Sequence, residues 1–442
     1  MASSCAADDT AQALESELRD NLPNVPRLEA PAGANAGWLA RTLGRAAESG
    51  VPLVIGLSAN SSLLPEWTPA ALIDRVPILT RAYVGGASRF GPYYDENRPM
   101  ALAGIGLAPS HGFTETSLRT HDLFAAPASA SSHSYYSGEV ERDLPASMLD
   151  ELRPLESALI ARNPSHASVN LWLGSRPVSA PCHYDAYHNA AAQLSGSKRW
   201  VLAPPSAWDV VRVFPFLHPS HAQCQVSLFD IDSVALARAG GSVAQLERGD
   251  ILYLPPLYFH ETLALSVDGV VGVNGWVGCD ESDAASRLFA VPRPSRHSTD
   301  ESDDGGGASA AAALVALLSR HALGDGSALA ARLWSERYAS LGHLTAHDLV
   351  PTPVVAAGCA RLLLAHAWGG GVEGASGVDL SHQFRHTAAK WASLAAGVAR
   401  TGFSEATRGT WVANLAELAV AERVGIKGAA SFWRRLHECK RR

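Results

Sequence analysis

The stretch Ala180-Pro181-Cys182-His183-Tyr184-Asp185 decides the reading of this chain. His183 and Asp185 stand two apart, so on an extended strand both side chains leave the same face. An imidazole and a carboxylate placed this way can take adjacent positions on one metal ion. A third ligand is offered by His260, which follows the apolar run Ile251-Leu252-Tyr253-Leu254-Pro255-Pro256-Leu257-Tyr258-Phe259. Two histidines and one carboxylate on one face of an octahedron leave three positions open, the ligand set of non-haem Fe(II) oxygenases. The pair alone is a weak signal, because among 17 histidines about one HxD match arises by chance. Its surroundings carry the rest of the argument.

Those surroundings are strand-rich. Val169 to Gly174 reads as a strand ahead of the His183 strand, and Ala190 to Leu194 runs into the turn Ser195-Gly196-Ser197. Lys198 to Ala203 is the next strand, stopped by Pro204-Pro205. Arg248-Gly249-Asp250 is a turn that launches the Ile251 strand, and Val270 to Trp276 is a further β-branched strand. Short strands separated by Gly, Pro and Ser turns predict an antiparallel barrel or jelly roll and not a βαβ fold. Lys198 opens a strand from which a cation can pair with the far carboxylate of a bound dicarboxylate; the plain alternative is a solvent-facing lysine. Asn189 and Asn274 sit among Ala, Val and Gly, where an amide without a partner is costly. Gly275 beside Trp276 suggests backbone approaching a ligand with the indole as a wall, against ordinary packing of the indole. Tyr135 and Tyr136 read otherwise as the buried anchor of a loop.

Upstream, Trp38 to Leu43 has helical spacing and Val51 to Ile55 is a short strand. Thr68 and Pro69 are an N-cap and first-turn proline, and Met148 to Ile160 is a helix. Downstream the composition changes near Asp280. Residues 281–308 read as a flexible linker, and residues 309–442 are Ala/Leu-rich with helical spacing, as in Leu314–Leu318, Leu329–Leu341, Val354–Trp368 and Phe384–Val398. The expected organisation is an N-terminal extension over 1–25, a catalytic domain over 26–280, the linker, and a helical C-terminal domain. At 442 residues the chain can build a sizeable core, and a net charge of −7 gives no basic footprint for nucleic acid. Cys5, Cys182, Cys224, Cys279, Cys359 and Cys439 form no CxxC pair, so neither a zinc site nor a disulfide framework is expected and a reducing compartment fits. Acidic residues from Asp8 to Asp20 argue against a secretory signal, and no apolar stretch is long enough to span a bilayer. Cytoplasm or nucleus is the expected location.

The ordered set His183-Tyr184-Asp185, Asn189, Gln193-Leu194, Gly196, Lys198-Arg199, Leu202 and Pro204-Pro205 resembles the JmjC/cupin-like 2-oxoglutarate oxygenases. Within them it is most similar to the asparaginyl hydroxylase that inhibits the hypoxia-inducible factor. His218-Pro219, Gln223, Gln225-Val226, Gly249-Asp250, Tyr253, Pro255, His260, Val273-Asn274 and Trp276 belong to the same likeness. So do Pro26-Arg27-Leu28 and Phe90 with Tyr93-Tyr94-Asp95-Glu96, so that it covers roughly residues 26–280. The resemblance implies a mainly β fold with α: a double-stranded β-helix (jelly-roll, cupin) core with an N-terminal α/β lead-in and a C-terminal helical region.

It further implies Fe(II), 2-oxoglutarate and O2 as cofactors of a dioxygenase that hydroxylates a protein side chain. His183, Asp185 and His260 would be the metal ligands. Lys198 and Tyr135 would hold the far carboxylate of 2-oxoglutarate, with Tyr136 the alternative if the register slips by one. Asn189 and Asn274 would contact the metal-side carboxylate of the cofactor or a neighbouring water, Trp276 would line the site, and Gln223 and Tyr93 would meet the substrate. The partner would be a protein or peptide, and the C-terminal helices would make a homodimer. The same chemistry on a tRNA base, on a small molecule or in histone demethylation, and a metal-binding cupin scaffold without turnover, are the rivals. Two departures matter: the family's Ser or Thr three residues before the first ligand is Ala180, and the arginine expected before Gln223 is Ala222.

Overall fold

In the computed structural model, residues 21–91, 94–105, 107, 112–125, 132–279, 315, 333–341 and 404–439 are described. They divide into two compact units. One comprises Met1–Pro92, Ser110–Val210 and Val226–Ser282; the other comprises Tyr93–Pro109, Val211–Gln225 and Asp283–Arg442.

The first unit is a double-stranded β-helix preceded by an α/β segment. Its strands are β1 (Arg27–Glu29), β2 (Leu53–Gly56), β3 (Ile78–Gly85), β4 (Phe113–Arg119), β5 (His133–Glu139), β6 (Ala167–Gly174) and β7 (Ser179–Tyr184). They continue as β8 (His188–Ser195), β9 (Lys198–Ala203), β10 (Ser242–Leu246), β11 (Asp250–Leu254), β12 (Phe259–Ala264) and β13 (Val270–Val277). A nine-stranded sheet runs β1-β2-β11-β8-β13-β6-β5-β3-β4, and a four-stranded sheet runs β10-β9-β12-β7. Apart from the parallel β1–β2 pair the ladders are antiparallel. The chain passes from β8 to β9, and so between sheets, through Gly196 at φ 70°, where a Cβ would lie 2.4 Å from the Gly269 carbonyl oxygen.

Two apolar layers hold this unit. Val25, Val54, Ala191, Trp200, Leu202, Ala244, Leu246, Leu252 and Leu254 form one buried cluster from both sheets. Against the other face of the large sheet pack α1 (Ala36–Ser49), α2 (Pro69–Arg75) and α3 (Ala146–Leu159), through residues such as Leu39, Leu43, Leu72, Leu152 and Leu155. Asn35 caps α1 by accepting from Trp38 N, and Thr68 caps α2 by accepting from Ala71 N, as its sequence predicts.

Three features differ from the sequence expectation. At Gly275 the close neighbour is a helix: its missing Cβ would fall 2.9 Å from Leu159 Cβ, so the glycine admits α3 to the sheet. Cys182 is disulfide-bonded and so is Cys224, against the expectation of no disulfides, because cysteine spacing in sequence does not decide which thiols come within bonding distance. Strands β3, β4 and β5 escape sequence reading because β4 is mostly exposed and lacks an apolar alternation.

The second unit contains α4 (Glu405–Cys439), broken at Gly425 with φ 77°, and a turn of helix over Trp334–Tyr338. Buried Arg337 pairs with Glu417, which also accepts from Tyr338 Oη at 3.0 Å and from Phe216 N at 2.8 Å. The 281–308 linker and the helices expected over Leu314–Leu318, Val354–Trp368 and Phe384–Val398 lie outside the described residues, Val315 excepted, as does Tyr93. Among the described residues no helix is long and apolar enough to cross a membrane.

Candidate metal centre

His183 on β7 and His260 on β12 are direct cross-strand partners, with ring centroids 4.2 Å apart. Each Nδ1 faces the carbonyl oxygen two residues earlier, Pro181 O at 2.8 Å and Tyr258 O at 3.0 Å. Nδ1–H donates there, so each Nε2 keeps its lone pair for a metal. Asp185 follows the end of β7. Its carbonyl accepts from Leu257 N at 2.7 Å, and Leu257 holds a left-handed φ of 66°. The carboxylate Oδ2 lies 3.7 Å from His260 Nε2. One donor atom from each of the three residues lies within 4.8 Å of the others, a spacing that can close on a single cation. Burial and the neighbouring His183 push the His260 imidazole down to about 4, which keeps it neutral as a ligand must be.

Around Asp185 runs a hydrogen-bond chain. Trp172 Nε1 donates to Asn274 Oδ1 (2.7 Å), Asn274 Nδ2 to Asn189 Oδ1 (3.0 Å), and Asn189 Nδ2 to Asp185 Oδ2 (3.1 Å). Trp276 Nε1 donates to the same Oδ2 at 3.1 Å. Asn189, Asn274 and Trp276 thus answer the cost of buried amides by converging on the carboxylate.

The cavity these residues line encloses about 500 Å³ of space, including the part open to solvent, and its wall also holds Tyr135, Ala180, Lys198, Trp200 and Thr262. Lys198 is 7% exposed and makes no hydrogen bond or ion pair among the described residues. Burial alone pushes its ammonium down to about 8. Tyr135 is also buried, its hydroxyl without a hydrogen-bond partner among the described residues and its ring held between Phe90 (5.7 Å) and Trp172 (6.2 Å). Tyr136 points elsewhere and donates its hydroxyl to Asp143 Oδ2 at 2.8 Å. Gln223 is buried in the second unit, where its carbonyl accepts from Phe214 N at 3.0 Å.

Sequence reasoning passed over Trp172, Trp200 and Thr262 as parts of the site. Trp200 stands two after Lys198 and stacks on His260 at 5.6 Å, and Thr262 stands two after His260, so strand alternation was the available signal.

Residues 114–277, which contain the triad and every wall residue just named, match the family profile described as cupin-like domain. This segment is similar to the cupin-like domain. Among known proteins, HSPB1-associated protein 1 homolog of Danio rerio is 32% identical over 147 residues, 30% of this chain and 32% of its own length. Lysine-specific demethylase JMJ31 of Arabidopsis thaliana is 32% identical over 117 residues, 25% of this chain and 21% of its own. The tRNA wybutosine-synthesizing protein 4 of Aspergillus oryzae is 34% identical over 130 residues, 29% of this chain and 12% of its own. The chain therefore spans about a third or less of the length of these relatives. The matched segment carries the two-histidine, one-carboxylate triad on the four-stranded sheet and the loop that follows it.

Proposed function

We propose that the chain is an Fe(II)/2-oxoglutarate-dependent oxygenase that hydroxylates a protein side chain. The observation that carries the reading is Lys198, a buried ammonium without a partner among the described residues, in the same cavity as the triad. A buried cation is costly unless an anion meets it. A scaffold that merely bound a metal would have no physical use for that cost. The donor set fits the cofactors: His183, Asp185 and His260 would hold Fe(II), and Lys198 with the Tyr135 hydroxyl would hold the far carboxylate of 2-oxoglutarate.

Bound together, iron and 2-oxoglutarate supply O2 activation coupled to decarboxylation, which yields succinate and CO2 and delivers one oxygen atom to a substrate C–H bond. The protein's own contribution is positioning. Trp276 and the Trp172–Asn274–Asn189 chain aim the Asp185 carboxylate, the two backbone carbonyls fix the imidazole tautomers, and Ala191, Ala192, Leu246 and Val273 make the cavity walls apolar. Gln223 and Tyr93 are proposed at the substrate, as in the asparaginyl hydroxylase this sequence resembles, and a homodimer through the C-terminal helices belongs to the same proposal.

The same chemistry on a lysine side chain or a tRNA base is the second reading, favoured by the names of two relatives, a lysine-specific demethylase and a tRNA-modifying protein. Isotopically labelled O2 separates the readings. Supplied with a peptide library, the enzyme is expected to place one labelled oxygen on a peptide side chain. Label found only in tRNA, or demethylation of methyl-lysine peptides without retained label, would replace the hydroxylase reading with the second.

A further inference from the structure

Thr262 lies 5% exposed in the wall of the metal cavity, and its hydroxyl makes no hydrogen bond among the described residues. A hydroxyl in a cavity wall with no partner among the described residues is available to donate to a ligand atom there. Thr262 stands two after His260 on β12, which runs in regular register against β9, so alternation puts both on one face. Glu261 between them turns away from the cavity and is held by Ser227 Oγ at 2.9 Å and Leu228 N at 2.6 Å. His260 and Thr262 on either side of it both line the cavity.

β12 lies between β7 and β9, so Thr262 has Ala180 opposite on one side and Trp200 on the other. Lys198 pairs with Ala264, one step farther along the same cavity-facing row. A diagonal neighbour on a sheet face lies at about 7–8 Å, within the reach of a lysine. Ala180 brings no polar atom, which leaves the Thr262 hydroxyl as the group beside the ammonium on this side of the cavity.

We propose that Thr262 and Lys198 together grip the far carboxylate of 2-oxoglutarate, with the Thr262 hydroxyl donating to one carboxylate oxygen. This rests on the oxygenase reading above. It makes Thr262 a determinant of selectivity for 2-oxo acids that carry a second carboxylate, over those, such as pyruvate, that do not.

The test is calorimetric titration of the Mn(II)-loaded protein with 2-oxoglutarate and with pyruvate under nitrogen, which needs no turnover. Thr262→Val keeps the branched shape and removes the hydroxyl. It is expected to weaken 2-oxoglutarate roughly tenfold to a hundredfold, the range for a lost hydrogen bond to a charged group, and to leave pyruvate unchanged. Thr262→Ser is expected to retain affinity. Ala180→Thr added to Thr262→Val is expected to recover part of it, because the two positions face each other across the strands. Full 2-oxoglutarate affinity in Thr262→Val overturns the assignment and leaves the oxygenase reading standing. Equal losses for both ligands also overturn it, by showing that the change acts through the neighbouring His260. A wild-type protein that takes up Mn(II) but no 2-oxoglutarate overturns both.

Discussion

Replacing Lys198 by Met should stabilise the ligand-free fold and abolish its response to 2-oxoglutarate. The wild-type ammonium falls from 10.5 to about 8 through burial. At about 1.36 kcal/mol per pH unit, holding that charge in the cavity costs the folded state on the order of 3 kcal/mol near neutral pH. Methionine keeps most of the stem and removes the charge, so unfolding by denaturant should show a gain of up to that size. The sign with pH follows from proton binding. The folded chain releases the Lys198 proton near pH 8 and the unfolded chain near 10.5. The cost is therefore fully present below pH 8 and is relieved as pH rises from 8 to 10.5, so the gap between Lys198→Met and wild type should close across that window. Added to the Mn(II)-loaded protein at a hundred times its dissociation constant, 2-oxoglutarate should give the wild type a further gain of about 2.7 kcal/mol, and the variant very little. Loss of the ammonium charge should likewise weaken 2-oxoglutarate binding to the wild type as pH rises through 8. A Lys198→Met protein that unfolds more easily than wild type without ligand, or that keeps the full ligand response, would refute the reasoning.

Three further outcomes are expected. Trp276→Phe removes the indole donor to Asp185 Oδ2 and should lower Mn(II) affinity about tenfold in a direct titration, with unchanged affinity counting against the carboxylate-aiming role. Tyr135→Phe should weaken 2-oxoglutarate binding, whereas Tyr136→Phe should leave it intact and cost about 1 kcal/mol of stability through the lost bond to Asp143; the reverse pattern would exchange their roles. Gly275→Ala should destabilise the fold by about 1–3 kcal/mol in thermal or denaturant unfolding, because its Cβ would meet Leu159 Cβ at 2.9 Å, and a neutral result would show that α3 yields.

The β-helix strands from Val169 to Trp276 were legible because local signals suffice for them: β-branched runs, alternation, and turns at Gly196 and Gly249. The HxD pair was legible for the same reason, as the period of two places His183 and Asp185 together without knowledge of the rest. Lys198 could be placed at a strand start, but its burial could not, since that depends on β10 and β12 closing around β9. The Trp172–Asn274–Asn189–Asp185 chain joins three strands and a loop, and only register brings those amides into contact. Thr262 stood two after His260 within reach of alternation, but that it faces Ala180 on one side and Trp200 on the other depends on register across three strands. Gly275 misled because a missing side chain says that something comes close without saying whether it is ligand or helix.

The central claim is that this cavity couples metal and 2-oxoglutarate to O2. Its most direct test is anaerobic loading with Fe(II) and 2-oxoglutarate, followed by admission of O2 and measurement of succinate, in wild type and in His183→Ala. The account predicts succinate from the wild type and none above background from the variant. A wild-type protein that binds metal yet forms no succinate, or a variant that forms as much as wild type, would contradict it.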